Sequence, residues 1–400
     1  MANQLHLQDP HALGARLRMA REARGYTQQQ IAERLGMSRT TMVAIEKGER
    51  QLKSGELVRL AEEYGLALSD LLQRPTPVEG FSVQLRGALS PAAPFDSDLL
   101  PHIETFENLC EDYLRLERLC QAPLHRRYPA LYDLKGVDPE LAAEDVAVSE
   151  RGRLGLGEGP LLNLRDVLEG DVGLRIFQIE MPSIVAGMFA YTDDLGGCVA
   201  VNRHQPIERR RQSLAHEYGH FLVTRFKSEI LYSERYQRRP AEERFAEAFA
   251  RSFLMPPEGL RRRYMEIQRE RGGSPTYGDL CRLAYGYNVS VEAMARRLEE
   301  LRLLPAGTWD RLTHEGFKVR EAQRLLGLEP RLGDDGLLPA RYMALAIEAW
   351  QKGELTEGQL ARLLRTDRLG ARELIGGAER VTEETAPATV DLSTPLYGVG

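Results

Sequence analysis

Two histidines and a glutamate stand at the spacing of a zinc-binding helix in the segment His216-Glu217-Tyr218-Gly219-His220. On a helix, residues four apart project from one face, so both imidazoles can reach a single ion. Glu217 follows the first histidine directly and is well placed to take a proton from water activated by the metal. The spacing therefore predicts a hydrolytic Zn²⁺ site with His216 and His220 as ligands and Glu217 as general base.

A third ligand must come from elsewhere, because a catalytic zinc site uses three protein ligands and keeps one position open. The helix predicted over residues 240–254 offers Glu243 and Glu247, which lie four apart on the same side of a buried apolar stripe. One of them can bind the metal while the other orients a ligand histidine. The residue pattern alone leaves both assignments open.

These segments together resemble the ImmA/IrrE family of metallopeptidases, which combines HExGH with a helix E-x-x-A-N-x-F-A and the run LMP. This chain has HEYGH, then ERFAEAFA from Glu243, then LMP at 254–256. The resemblance covers about residues 140–304. It implies a zincin-like fold, Glu243 as third ligand, Glu217 as general base and Glu247 in the second shell. Glu247 stands where the family usually has Asn, which leaves Glu247 as the alternative ligand to Glu243.

The N-terminal region has the pattern of two helices joined by a tight turn over Thr27–Ile45. Gly36 can supply the positive φ of the turn, and Thr27 and Ser38 can cap the two helices. The second helix opens with the short or polar side chains SRTT, at the end where such a motif meets base edges in the major groove. These features predict a DNA-binding helix-turn-helix.

The run TQQQIAERLGMSRTTMVAIEKGER closely resembles the phage-repressor type of helix-turn-helix, the Xre/Cro family. The resemblance implies a homodimer on a near-palindromic double-stranded DNA operator. Lys47 and Arg50 follow the motif and can neutralise phosphates. The predicted DNA-binding residues are Gln28, Ser38, Arg39, Thr40, Thr41, Ala44, Lys47 and Arg50.

Composition sets limits on these predictions. The formal net charge is −6, but residues 1–74 hold eleven Lys and Arg against nine Asp and Glu, so this part is mildly basic. No apolar run approaches the roughly 18–20 residues that span a membrane, and the N-terminus lacks a secretory pattern. The four cysteines are scattered, without a CxxC pair. A cytoplasmic protein without a membrane partner is expected.

The predicted fold class is α+β, mainly α, with a five-helix DNA-binding bundle, a zincin-like domain with a small sheet and a helical C-terminal region. Strands are expected at 173–180 and 199–202, and a short strand at 81–85 is considered. The predicted domains are 1–74 for DNA binding, 75–101 as a linker, 102–304 as the metallopeptidase, 305–375 as helical and 376–400 as a disordered tail.

Taken together, these features predict a stress- or signal-responsive transcriptional regulator whose zinc endopeptidase cleaves a repressor protein, in trans or within its own linker. One alternative is a transcription factor whose peptidase-like domain is a non-catalytic sensor. Another is an antitoxin-like protein whose helical C-terminus holds a partner.

Overall fold

The computed structural model divides the chain into two compact units, Met1–Val78 and Glu79–Gly400. It describes residues 13–64, 80–87, 96–232, 240–328 and 336–375, apart from 15, 16, 19, 22, 23, 25 and 51. None of the helices in these ranges is both long and apolar enough to cross a membrane. The predicted fifth helix of the DNA-binding bundle, around 68–72, and the predicted disordered tail lie outside the described residues.

In the first unit, three helices follow a partly described helical segment within 13–21: α1 Gln28–Leu35, α2 Arg39–Glu46 and α3 Ser54–Glu63. Thr27 and Gln30 form a capping box at the start of α1, and Ser38 caps α2, as predicted. Gly36 ends α1 at φ 68°, a left-handed conformation that favours glycine. The helices enclose a small core that includes Leu17, Ile31, Met42 and Leu60.

The second unit contains a four-stranded sheet in the order β1-β3-β2-β4. Its strands are β1 Arg175–Ile179, β2 Val185–Thr192, β3 Gly196–Asn202 and β4 Glu229–Tyr232. β1 runs parallel to β3, whereas β2 runs antiparallel to both β3 and β4. β1 and β3 fall within or around the predicted strands, while β2 and β4 were not predicted.

Helices surround the sheet in the described part of the second unit. They are α4 Ser82–Gly87, α5 Asp96–Cys120, α6 Pro139–Arg153, α7 Leu164–Val167, α8 Ile207–Thr224, α9 Ala241–Leu254, α10 Pro257–Arg271, α11 Tyr277–Tyr287, α12 Val291–Glu300, α13 Thr308–His314, α14 Val319–Leu325, α15 Ala340–Gln351 and α16 Glu357–Leu363. A single π-helical turn, Leu168–Val172, leads into β1. The predicted class, α+β and mainly α, is confirmed.

The two faces of the sheet are covered by different helices. Phe189 of β2 packs edge-on against Phe221 of α8. Phe177 of β1 instead meets Tyr113 of α5 and Tyr342 of α15. The C-terminal helices therefore pack directly on the sheet and on α5.

Part of the predicted linker is folded. The interpretation of residues 81–85 as a short strand is wrong, because Ser82–Gly87 is the helix α4. Phe81 and Leu85 are fully buried, whereas Val83 is 76% exposed. The ring of Phe81 packs against that of Phe106 of α5, with centroids 4.9 Å apart and ring planes tilted by 48°, so α4 belongs with the second unit.

Candidate metal centre and DNA-binding face

The side chains of His216, His220 and Glu243 converge on one point between α8 and α9. The two Nε2 atoms lie 3.0 Å apart. Glu243 Oε2 lies 3.5 Å from His216 Nε2, and Glu243 Oε1 lies 3.4 Å from His220 Nε2. Both histidines are buried, and the carboxylate is partly exposed. The structure thus brings together the three residues that were expected to bind metal.

The spacing of these donor atoms fits a small tetrahedral ion. Zinc bonds of about 2.0–2.2 Å at tetrahedral angles separate neighbouring ligand atoms by about 3.3–3.6 Å. The two Nε2 atoms lie 3.0 Å apart, and each faces its own oxygen of Glu243 at 3.4 or 3.5 Å, so the donor atoms are spaced close to this range. Burial lowers the pKa of His216 and so favours the neutral imidazole that metals require. The donor set of two imidazoles and one carboxylate suits zinc.

Glu217 is fully buried, and neither of its carboxyl oxygens has a hydrogen-bond partner among the described residues. Burial raises the pKa of Glu217 well above its usual range, and the nearby charges of Glu229 and Glu243 raise it further. Gly187 of β2 faces this carboxyl: a Cβ there would lie 3.2 Å from Glu217 Oε1. An unpartnered buried carboxyl is costly, so this position indicates a group held ready for chemistry.

The helix that carries these residues is fixed from its opposite face. Tyr218 is fully buried, and its hydroxyl donates to the buried carboxylate of Glu150 on α6. Arg153 bridges both groups, with Nη2 2.7 Å from Glu150 Oε2 and 3.1 Å from the Tyr218 hydroxyl. Arg211, one turn before the motif, donates to the backbone carbonyls of Leu161 and Asn288. These contacts set the rotation of α8 and so the direction in which His216 and His220 point.

Two further glutamates were considered or found near the ligands, Glu247 and Glu229, and their surroundings differ. Glu247, predicted for the second shell, lies 3.4 Å from Arg251 on its own helix. Glu229, which the sequence reasoning missed, extends from β4 and places Oε2 3.2 Å from His220 Nδ1. Burial, together with a hydrogen bond to Glu243, raises the pKa of Glu229 to about 8. Burial also acts to raise the pKa of Glu243, but hydrogen bonds with His216, His220 and Glu229 outweigh it and hold that pKa well below its usual range.

Four of the predicted DNA-binding residues lie at the start of α2: Ser38, Arg39, Thr40 and Thr41. Arg39 and Thr40 are exposed. Ser38 Oγ accepts from Thr41 N at 3.1 Å and lies 2.7 Å from Thr40 Oγ1, so the cap orders this turn. Ala44 is half-buried one turn further along the helix.

Two further predicted contacts are already engaged within the first unit. Gln28 donates its amide to Glu46 at 2.8 Å, and Glu46 also holds buried Arg21 at 2.7 Å. Arg50 forms a two-fold contact with Glu56, at 2.9 and 3.2 Å. Lys47 is exposed. Arg50 can therefore meet a phosphate only by sharing or leaving its ion pair.

Comparison with known proteins confirms both resemblances. A family model described as an IrrE N-terminal-like domain matches residues 169–299, and a helix-turn-helix domain model matches residues 12–73. No curated protein matches the chain. The fusion of these two kinds of domain, predicted from the motifs, is present.

Two solved structures also align along most of the chain. Bacillus thuringiensis PlcR, in complex with the peptide PapR7 and DNA, is 11% identical, with 94% of this chain and 98% of that chain covered at a TM-score of 0.18. ComR from Streptococcus suis is 10% identical, with 94% and 97% covered at a TM-score of 0.16.

The two domains define the class of this protein. The chain joins an N-terminal helix-turn-helix to a peptidase-like domain of the IrrE type. These two domains indicate a DNA-binding regulator with a peptidase-like domain. The His216, His220 and Glu243 cluster falls inside the matched segment 169–299 and gives that domain a candidate metal site.

Proposed function

We propose that this protein is a transcriptional regulator whose IrrE-like domain is a zinc endopeptidase that cleaves a repressor protein. The observation that carries the proposal is the buried, unpartnered carboxyl of Glu217 directly beside the His216, His220 and Glu243 cluster. A purely structural metal site has no use for such a carboxyl, because structural zinc sites are closed by four protein ligands.

A zinc ion held by His216, His220 and Glu243 would supply Lewis-acid activation of water and of the scissile carbonyl. Glu217 accepts the proton of the attacking water and later delivers it to the leaving amine. Its burial keeps bulk water from competing for that proton. Tyr218 does not act on the substrate in this scheme, since its hydroxyl is held by Glu150 on the far side of α8.

The substrate is a polypeptide that must enter the site extended. Within the predicted linker, residues 82–87 are helical and Phe81 and Leu85 are buried, so this stretch is a poor substrate while it stays docked. We therefore place the principal substrate in trans, as a repressor of the helix-turn-helix type. Cleavage in cis requires a bond elsewhere in 75–101, or the release of α4.

The DNA-binding unit directs the protein to its operator. We propose that Arg39, Thr40, Thr41 and Ala44 face base edges of a near-palindromic operator and that the chain binds it as a homodimer. The unit is positioned by the helix cap at Ser38 and by phosphate contacts of Gln28, Lys47 and Arg50.

The proposal is tested with the purified full chain, loaded with zinc or stripped by a chelator, and mixed with candidate repressors. Mass spectrometry of the mixture is expected to show a defined new chain terminus only with zinc. A Glu217→Gln variant is then tested for regulation in cells. If it regulates normally, the domain acts as a sensor and the proposal fails.

A further inference from the structure

Glu229 lies beside the candidate ligand His220 without belonging to the ligand cluster. Its Oε2 lies 3.2 Å from His220 Nδ1. We propose that Glu229 is a positioning residue of the metal centre, which fixes the orientation and tautomer of His220. The inference rests on the metal site of the proposed function, but not on peptidase activity.

The geometry places Glu229 behind the ligands and not among them. The ligand atoms of His216, His220 and Glu243 all lie within 4.8 Å of one another, and this set does not include Glu229. Glu229 faces Nδ1 of His220, whereas Nε2 of the same ring faces His216 at 3.0 Å. A carboxylate at the outer nitrogen of a ligand histidine is a common way to orient it.

Glu229 is also the group that faces the outer nitrogen of His220. Metal binding through Nε2 requires the ring proton on Nδ1, the nitrogen that lies 3.2 Å from Glu229 Oε2. Nδ1 has no hydrogen bond of ordinary geometry among the described residues, so Glu229 acts on the ring through proximity. Glu229 therefore favours the tautomer that leaves the Nε2 lone pair free to bind metal.

The backbone around Glu229 is held on two sides, which makes this contact a fixed feature. Glu229 pairs with Phe189 across the antiparallel strands β4 and β2. Ser228, one residue earlier, donates its hydroxyl to Gln84 of α4 at 2.7 Å. The Glu229 side chain is only 22% exposed, so it has little freedom to leave His220.

The experiment measures zinc affinity of the full chain by competition with a chromophoric chelator. Glu229→Ala is expected to lower the zinc affinity about 10- to 100-fold. Glu229→Gln keeps an oxygen acceptor, so its zinc affinity is expected to lie between those of the alanine variant and the parent. Glu180→Ala removes a carboxylate that is 63% exposed and serves as the matched control, with affinity unchanged. Melting curves of each variant check that it is folded.

A second readout separates orientation from general stability. With ¹³C-labelled histidine, the ring carbon shifts of metal-free protein report the tautomer, and His220→Gln assigns the His220 signal. The Glu229 variants are expected to raise the fraction of His220 that carries its proton on Nε2.

Zinc affinity and tautomer equal to the parent in folded Glu229→Ala would overturn the inference. If the alanine variant does not fold, the same result in Glu229→Gln overturns it. A parent chain that binds zinc but cuts nothing would defeat the proposed peptidase while leaving this test decisive.

Discussion

Gly219 of α8 lies directly against Ala246 of α9, so closely that a Cβ on Gly219 would stand 2.9 Å from the Cα of Ala246. The same Cβ would meet the ring of Phe249 at 3.3 Å. This approach joins the helix of His216 and His220 to the helix of Glu243. The glycine of the HEYGH motif is therefore required for the helix packing that brings His216, His220 and Glu243 together.

Gly219→Ala is expected to push α8 and α9 apart, because the clash is with backbone and cannot be relieved by a side-chain rotation. We expect a loss of about 1–3 kcal/mol in the free energy of unfolding, as for other overpacked cores. Zinc affinity measured by chelator competition should fall with it. Gly286→Ala is the matched control: a Cβ there meets nothing within 4 Å, so stability should stay equal or rise slightly.

Glu46 is expected to hold the DNA-binding unit together. Its carboxylate binds the buried guanidinium of Arg21 and the amide of Gln28. Glu46→Gln removes the charge that compensates a buried cation, for which the usual cost is about 3–5 kcal/mol. Hydrogen exchange of the amides in α1 and α2 measures the local opening. Glu63→Gln, which breaks the exposed pair with Arg34, should change the free energy of this local opening by under about 0.5 kcal/mol.

The start of α2 is expected to carry sequence readout, and the residue beyond the helix to carry phosphate contact. Arg39→Ala should cost about 1–3 kcal/mol on an operator selected from random DNA and relax the preference at one position. Lys47→Ala should weaken binding to all sequences alike and lower the slope of log affinity against log salt by about 1. Titration by fluorescence anisotropy at several salt concentrations distinguishes them. Equal behaviour of the two variants would contradict the assignment.

The acid stability of the second unit should depend on Asp279. Burial acts to raise the pKa of Asp279, but hydrogen bonds from Arg271 and Thr276 outweigh it and lower the pKa to about 2. The charged form therefore stabilises the fold above about pH 4, and this contribution disappears as the pH falls toward 2. Asp279→Asn should lose at most about 2 kcal/mol at neutral pH, and its difference from the parent should close between about pH 4 and 2.

Urea unfolding followed across this pH range checks the Asp279 prediction. Asp310→Asn, at a carboxylate whose side chain is 70% exposed, is the control. A difference between Asp279→Asn and the parent that stays constant with pH would show that the Asp279 charge is not the cause.

The sequence was informative wherever a local rule decides the structure. The caps at Thr27 and Ser38 and the turn at Gly36 depend on neighbours within three residues, and each is found as predicted. His216 and His220 meet because the helix itself places them on one face. Glu243 could be assigned as the third ligand only with the family resemblance in addition. Glu247 is also a glutamate on the same side of the same helix, so the residue pattern alone does not distinguish the two.

Features that depend on distant packing were not predictable in this way. Glu229 reaches His220 only because β4 pairs with β2, and a strand of four residues leaves little pattern in sequence. β2 is buried on nearly every residue, so it shows no alternation of polar and apolar positions. Phe81 and Leu85 fit both a strand and a helix, and the choice is made by α5, which buries these two and leaves Val83 outside.

The most direct test of the central claim is zinc-dependent cleavage of a candidate repressor in water enriched in oxygen-18, with parent and Glu217→Gln proteins compared at equal zinc content. We predict a single new carboxyl terminus that carries one oxygen-18 atom with the parent, and no cut with Glu217→Gln. Cleavage that survives in Glu217→Gln, or a zinc-loaded parent that cuts none of the candidates and not itself, would contradict the assignment of Glu217 as the general base of a peptidase.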